Sequence, residues 1–373
     1  MKKLTVWLLV IFTVLTGLWF GAEAWLSARA RSALVGAQDV SAGTIRPLRQ
    51  PGRFGLHFEA LSIGDEAQMV NAPELDAYVS LFSPTTLSLD LPDQLTLHQA
   101  GQPVDLGMKE GKASASVSPI KGLALSRIEM KTEDLAVDGS DALGGLNIRA
   151  ELTHMGSGAP QGSVAAYMIA VKLDELVIAN LTERMSISGP VQVWLSSLPA
   201  KAVLDGTAPP PALTGLQMTG MKFSLGKLEA KVLGQLIADE NGFAEGEAAL
   251  YTKDGEAFVD AAIHAGMIPE GAVHLAKLMV RKLTTARQVI ARRKGGDPQD
   301  AGTKQDADQS APTEAGLAVD PEAAIADLDN IDRSLSLPPA GPGEIHLPLI
   351  FRDGRTWFGP LPLGPAPQLA AAR

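Results

Sequence analysis

No cysteine occurs anywhere in the 373 residues. That absence excludes disulfides, thiolate nucleophiles, cysteine-based zinc sites and a lipid-modified cysteine behind a signal. Aromatic residues make up only 5%, so aliphatic side chains must build any core. A basic surplus is missing too: 32 Lys and Arg stand against 42 Asp and Glu, a formal net charge of −10 with a pI near 5.2. This balance argues against nucleic acid as a partner, which calls for a basic footprint. Past residue 26 no long apolar run recurs, so the chain meets a membrane through one helix at most. The remaining length is enough for one or two domains held by packing alone.

The long apolar run that does occur is Leu4–Phe20 (LTVWLLVIFTVLTGLWF), preceded by Lys2 and Lys3 and free of charge. As a helix it measures ~26 Å at ~1.5 Å per residue, the short end of what crosses a bilayer. Two readings export everything downstream. One is an uncleaved anchor with Trp19 and Trp25 at the headgroup level. The other is a signal peptide cut near Ala24, after the small-x-small run Ala22-Glu23-Ala24. The run is longer than a usual signal core, which favours the anchor over the signal and over a buried core helix. The expectation is residues 1–26 in the inner membrane, 27–39 as a helical stalk, and the bulk of the chain in the periplasm.

From Val40 the pattern alternates with period two. Leu87, Leu89 and Leu91 do so, as do Ala113, Ala115 and Val117, and then Leu146, Ile148, Ala150 and Leu152. Val191, Val193 and Leu195 follow, then Met221, Phe223 and Leu225, and Leu228, Ala230 and Val232. Such spacing puts one set of side chains on each face of a pleated strand. Asp138-Gly139, Asn241-Gly242 and Asp254-Gly255 suit hairpin turns between them. The fold class is therefore mainly β with a few helices (α+β), built on a long antiparallel β-rich body. Residues 40–154 and 155–270 read as two halves, with the seam in Glu151–Gly162.

Residues 271–294 then read as a basic amphipathic helix. Ala272, Ala276, Met279, Leu283, Ala286 and Ile290 form its apolar stripe. Lys277, Arg281, Lys282, Arg292 and Arg293 are candidates for contact with a membrane surface, against the plainer reading of a solvated basic face. Residues 295–319 hold almost no large apolar residue and read as a disordered linker. Residues 320–373 read as a helix capped by Asp320-Pro321, then a hairpin turning at Asp353-Gly354, then a Pro/Gly-rich extended tail. The hairpin is expected to dock on the earlier sheet through Leu347, Leu349, Phe351, Trp357 and Phe358.

The run FRDGRTWFGPLPLGPAP, Phe351 to Pro367, closely resembles the C-terminal signature of an uncharacterised bacterial family, the domain of unknown function numbered 2125. The residues carrying the resemblance are Phe351, Arg352, Asp353, Gly354, Arg355, Gly359, Pro360, Pro362, Leu363, Gly364 and Pro365. Leu81-Phe82-Ser83-Pro84-Thr85 is a weaker second match. An N-terminal hydrophobic segment before a long β-rich region is also that family's layout. The resemblance implies residence at a membrane or in the periplasm and supplies no catalytic residue.

Motifs of chemistry fail on inspection. Gly220 to Lys227 (GMKFSLGK) has five residues between its glycines where a P-loop has four, and Leu228 stands where Ser or Thr is required. Gly156-Ser157-Gly158 runs into Ala159-Pro160. No G-x-S-x-G elbow exists. His57, His98, His154, His264, His274 and His346 are scattered without ligand spacing. No cofactor, metal site or catalytic residue is expected, and the protein reads as non-catalytic. The leading reading is a tethered β-rich scaffold that binds other envelope proteins. The alternative is a lipid-binding or lipid-transfer module whose half-apolar strands form a groove for phospholipid, by fold-level analogy with envelope proteins of the AsmA-like kind. The two differ in whether the apolar strand faces close on each other or stay open.

Overall fold

The structure is a computed structural model and describes residues 24–32, 40–264 apart from 66–67, 100–101, 179–180 and 205–206, parts of 273–281, 337–358 and 361–370. The anchor Leu4–Phe20, the linker 295–319 and the helix expected from Asp320 lie outside these. Among the described residues no helix is long and apolar enough to cross a membrane.

The chain enters as a helix, α1 (residues 24–32). Among the described residues nineteen strands then form one antiparallel sheet. They are β1 (Val40–Pro47), β2 (Arg53–Gly64), β3 (Gln68–Ser80), β4 (Ser83–Asp90), β5 (Gln94–Gln99), β6 (Gln102–Lys109), β7 (Lys112–Ser118), β8 (Ala124–Thr132), β9 (Asp134–Val137) and β10 (Ser140–Leu143). After these come β11 (Gly145–Thr153), β12 (Ala165–Leu176), β13 (Met185–Leu195), β14 (Leu213–Leu225), β15 (Leu228–Ala238), β16 (Ala244–Thr252), β17 (Ile345–Arg352), β18 (Arg355–Phe358) and β19 (Leu361–Pro365). The short helix α2 (Lys201–Leu204) precedes β14, and α3 (Gly255–His264) follows β16.

The topology is simpler than nineteen strands suggest. β4–β5, β6–β7, β8–β9 and β10–β11 are each one chain run interrupted by a few residues. Each run pairs along its length with the run before and the run after it. The whole sheet is thus a single meander in which sequence neighbours are spatial neighbours, as short connections favour.

The interruptions line up. Ala60 of β2, Glu110 after β6 and Glu175 of β12 all have φ between 51° and 54°, an uncommon conformation for a non-glycine residue. The gaps 91–93, 110–111, 133 and 144 fall on the same transverse line by register. Along this crease the alternation skips a beat. Phe54, Leu56 and Phe58 give way to Leu61 and Ile63, and Val70 and Ala72 to Leu75, Ala77 and Val79. Cross-strand pairs join the matching sets on both sides: Leu61 faces Ala72, and Phe58 faces Leu75.

Residues directly opposite across antiparallel strands share a face. One apolar row can therefore be followed from strand to strand. It begins Phe54, Val79, Leu87, Ala115, Ile128, Ala150. It continues Ile169, Val191, Met218, Gly234, Ala248, Leu349. The adjacent row on the other face holds His57, Asp76, Asp90, Lys112 and Lys131, and ends at Lys231, Tyr251 and His346. The sheet has one aliphatic face and one polar face for almost its full width.

The stretch expected as a seam lies across the polar face. Trp194, fully buried, donates from Nε1 to the Met155 carbonyl at 2.7 Å. The Gln235 amide donates to the Gly158 carbonyl at 2.7 Å. β11 and β12 run in unbroken register through this region. Both sheet edges are protected. The Arg31 guanidinium of α1 donates to the Ile45 carbonyl on β1 at 2.9 Å, and β19 carries Pro362 and Pro365, which offer no amide donor.

One expected turn is corrected. Asp254-Gly255 opens α3 and is not a hairpin: the Ala257 amide donates to Asp254 Oδ1 at 3.4 Å, a helix cap. A Cβ on Gly255 would come within 2.1 Å of Ile345 Cδ1, so the glycine lets the helix start sit directly on β17. Asp138-Gly139 and Asp353-Gly354 do turn hairpins, each with two consecutive positive φ values, and Asn241-Gly242 turns between β15 and β16.

Candidate functional site

The aliphatic face is covered at one side of the sheet and uncovered at the other. Over β16 and β17 it is roofed by α3 and the helical residues of 273–281. Val259, Ala276 and Val280 pack there against Ile345, Leu347 and Phe358, with Leu250 and Leu349 alongside. Phe351 joins Leu236, Ala244, Ala248 and Ala366 in a second cluster under the C-terminal tail. From β2 to β8 the cover is only partial among the described residues: Leu56, Leu61, Ala72 and Met108 are buried, and others stay open. Ile63 (47%), Leu87 (46%), Ile128 (41%) and Met130 (37%) keep large exposed fractions there, although all belong to the aliphatic face. Small residues, Ala113, Ala115 and Ala150, lie between the large ones. An aliphatic surface of this extent and continuity is more than scattered exposure, and such patches mark interaction sites.

The family-motif residues form the hairpin that closes the covered side. Phe351 is buried, and the Arg352 guanidinium sits 5.3 Å from the Trp357 ring centroid. Asp353 and Gly354 take the left-handed turn. Arg355 faces both Arg352 and Pro365, and Gly364 faces Thr356, whose hydroxyl donates to the Pro365 carbonyl at 3.2 Å. Pro362 lies opposite Trp357, and Leu363 packs on the α3 cluster. Gly359 and Pro360 lie outside the described residues. Of the basic-helix residues, Lys277 pairs with Asp260 of α3 at 2.7 Å and Arg281 with Glu256 at 3.5 Å. Lys282, Arg292 and Arg293 lie outside the described residues.

The polar face holds one histidine–carboxylate pair that the sequence did not signal. His57 Nδ1 lies 2.6 Å from Asp76 Oδ1, with Glu59 at 3.9 Å from Nε2. The partners are far apart in sequence, and only the β2–β3 register places them opposite. Beside them Arg53 bridges Asp90 at 3.0 Å and stacks 4.3 Å from the Tyr78 ring centroid. Burial and then the Asp90 carboxylate push the Tyr78 hydroxyl above its ordinary pKa. Further along, a cleft of about 530 Å³ is lined by Lys222, Lys227, Lys231 and Lys253, with Glu229 and Asp254 among them. Among the described residues no group of three or more His, Asp or Glu could hold a metal ion.

The family described as "Uncharacterized protein conserved in bacteria (DUF2125)" matches residues 21–367. The chain belongs to that family. No curated protein and no solved structure matches it.

Proposed function

We propose that this member of the DUF2125 family is a non-catalytic, membrane-tethered envelope protein whose uncovered aliphatic sheet face holds the acyl chains of phospholipid. The supporting observation is the apolar row from Phe54 to Leu349, which stays on one face across twelve strands and leaves Ile63, Leu87, Ile128 and Met130 exposed on that face. Acyl chains suit such a surface because it is aliphatic, continuous and free of charge. Each methylene withdrawn from water contributes ~0.8 kcal/mol. The apolar run Leu4–Phe20 supplies the tether to the inner membrane, with the sheet in the periplasm. The scaffold reading is placed second, because protein interfaces concentrate aromatic anchors and the residues left exposed on this face, Ile63, Leu87, Ile128 and Met130, are all aliphatic.

The test uses two adjacent residues of β4. A benzophenone amino acid is placed at Leu87, on the aliphatic face, or at Ser88, on the polar one. The full chain is irradiated in cells and purified. A phospholipid-mass adduct at Leu87 and none at Ser88 is the expected result. A discrete protein adduct at Leu87 supports the scaffold reading, and absence of any adduct removes the lipid reading.

A further inference from the structure

The hairpin tips at the two ends of the strands differ in chemistry. At one end lie the turns 48–52, 81–82 and 119–123, the connection 154–164 and the loop carrying α2. Backbone bonds tie neighbours together: the Leu81 amide donates to the Gly52 carbonyl, and the Leu125 amide to the Pro199 carbonyl. Thr86 pairs with Ser116, which brings the β3–β4 and β7–β8 tips side by side.

These tips carry large apolar residues where turns ordinarily use Gly, Asn, Asp or Ser. Ile120 is 97% exposed and Phe82 93%, with Leu81 (59%), Leu123 (42%) and Val164 (63%) beside them. Leu123 holds φ 60°, a strained conformation for a branched side chain. Nothing in the fold is stabilised by Phe82 or Ile120, since neither leaves water on folding. The charged residues of the same turns are Arg49, Lys121 and Lys201, all exposed, against one acid in their sequence, Asp205 of the α2 loop. The opposite tips mix Asp65, Asp138, Glu183 and Asp254 with Arg184, Lys227 and Lys253 and, among the described residues, carry no large apolar side chain as exposed as Phe82 or Ile120. A chain of net charge −10 has thus kept one row of tips apolar and net basic. The patch ends at the next turn on that side, 239–243, which carries Asp239 and Glu240.

We infer that this row of tips, centred on Phe82 and Ile120, inserts into the surface of a bilayer containing anionic lipid. Apolar side chains at full exposure supply insertion, and flanking cations supply attraction to headgroups. The tips act together because the sheet fixes them side by side. The inference rests on the lipid reading above and adds where the protein meets the membrane. The Leu81–Thr85 stretch, one of the two that resemble the family pattern, forms the β3–β4 tip and is otherwise without a role in the core.

The absence of cysteine makes the test direct. Ser83→Cys, the single thiol of the variant, is labelled with an environment-sensitive fluorophore. The labelled full chain is held in phosphatidylcholine nanodiscs. Brominated lipid is placed either in the disc or in added vesicles of 30% phosphatidylglycerol in phosphatidylcholine. Quenching from either source is expected and identifies which bilayer the tips enter. For added vesicles, binding should be at least about tenfold tighter with phosphatidylglycerol than without, since each Lys or Arg at such a surface contributes about a factor of five. Phe82→Ser with Ile120→Ser should abolish quenching and leave the melting temperature unchanged. No quenching from either source overturns the inference. So does a spectral shift produced only by envelope protein extract, which would mean a protein partner. A Leu87 lipid adduct that persists while the tips stay unquenched would retain the acyl-chain reading and discard this one.

Discussion

Replacing Ile128 by Asp separates an open aliphatic face from a closed one. Ile128 lies mid-row, flanked across strands by Ala115 and Ala150, and is 41% exposed. Full burial of an isoleucine contributes about 1.5–3 kcal/mol. With two-fifths of the residue still in water, about half of that is at stake, and the lower strand preference of Asp adds up to about 1 kcal/mol. The new carboxylate reaches water at the same site, so no buried-charge penalty arises. The expected cost in stability is about 1–2 kcal/mol, read as a shift in urea midpoint at unchanged slope. An acyl chain lying on that row would instead meet an ion in apolar surroundings, a cost above about 2 kcal/mol. Phospholipid captured at Leu87 should then fall by more than about tenfold. A loss of stability above about 3 kcal/mol would place Ile128 in a sealed core and refute the reasoning. Unchanged lipid capture would refute it from the other side.

Trp194→Ala should cost about 3–5 kcal/mol, because the ring is fully buried and its Nε1 holds the 154–164 strap through Met155; thermal unfolding would measure it. Gly234→Ala should cost about 1–3 kcal/mol, since a Cβ there would stand 2.5 Å from Ala248 Cα on β16; an unchanged melting temperature would contradict the β15–β16 spacing. Burial raises the Tyr167 hydroxyl above its ordinary pKa near 10, and that hydroxyl donates to the Leu125 carbonyl at 2.6 Å. The folded state therefore holds the proton more tightly than the unfolded one, and this stability is full below pH 10 and lost as pH climbs through the raised pKa. Tyr167→Phe should lower stability by about 1 kcal/mol at neutral pH and flatten the alkaline fall in urea midpoint.

Much of the sheet could be read from alternation. The sets around Leu87, Ala113, Leu146, Val191, Met221 and Leu228 lie in strands, except Leu91, which falls in the gap after β4, and the Asp353-Gly354 hairpin joins the sheet at β16 as expected. Four features escaped. The helix α3 was hidden because Asp254-Gly255 has the composition of a turn; the signal that would have revealed it is Asp254 capping the run Glu256–His264, which has an apolar stripe at Phe258, Val259 and Ile263. The aliphatic face escaped as a continuous object because it is a property of register. Nothing local says that Leu87 meets Ala115 or that Ala150 meets Ile169. The same limit hid the His57–Asp76 pair. The tip residues Phe82 and Ile120 looked like ordinary hydrophobic residues, since exposure is decided by which turn they occupy.

The crease has a consequence for how the gene can change. In an ordinary strand an inserted residue inverts every side chain beyond it, from the insertion to the turn. Here each strand run from β2 to β12 already contains one phase slip, at Ala60, Glu110 or Glu175 and their neighbours, and the segments on either side keep separate phases. An insertion beside the slip can be absorbed by reshaping it, while the same insertion three residues away inverts one panel and spares the other. Length variation among strands should therefore collect along one transverse line of the molecule, as it would along the seam of a folded sheet of paper.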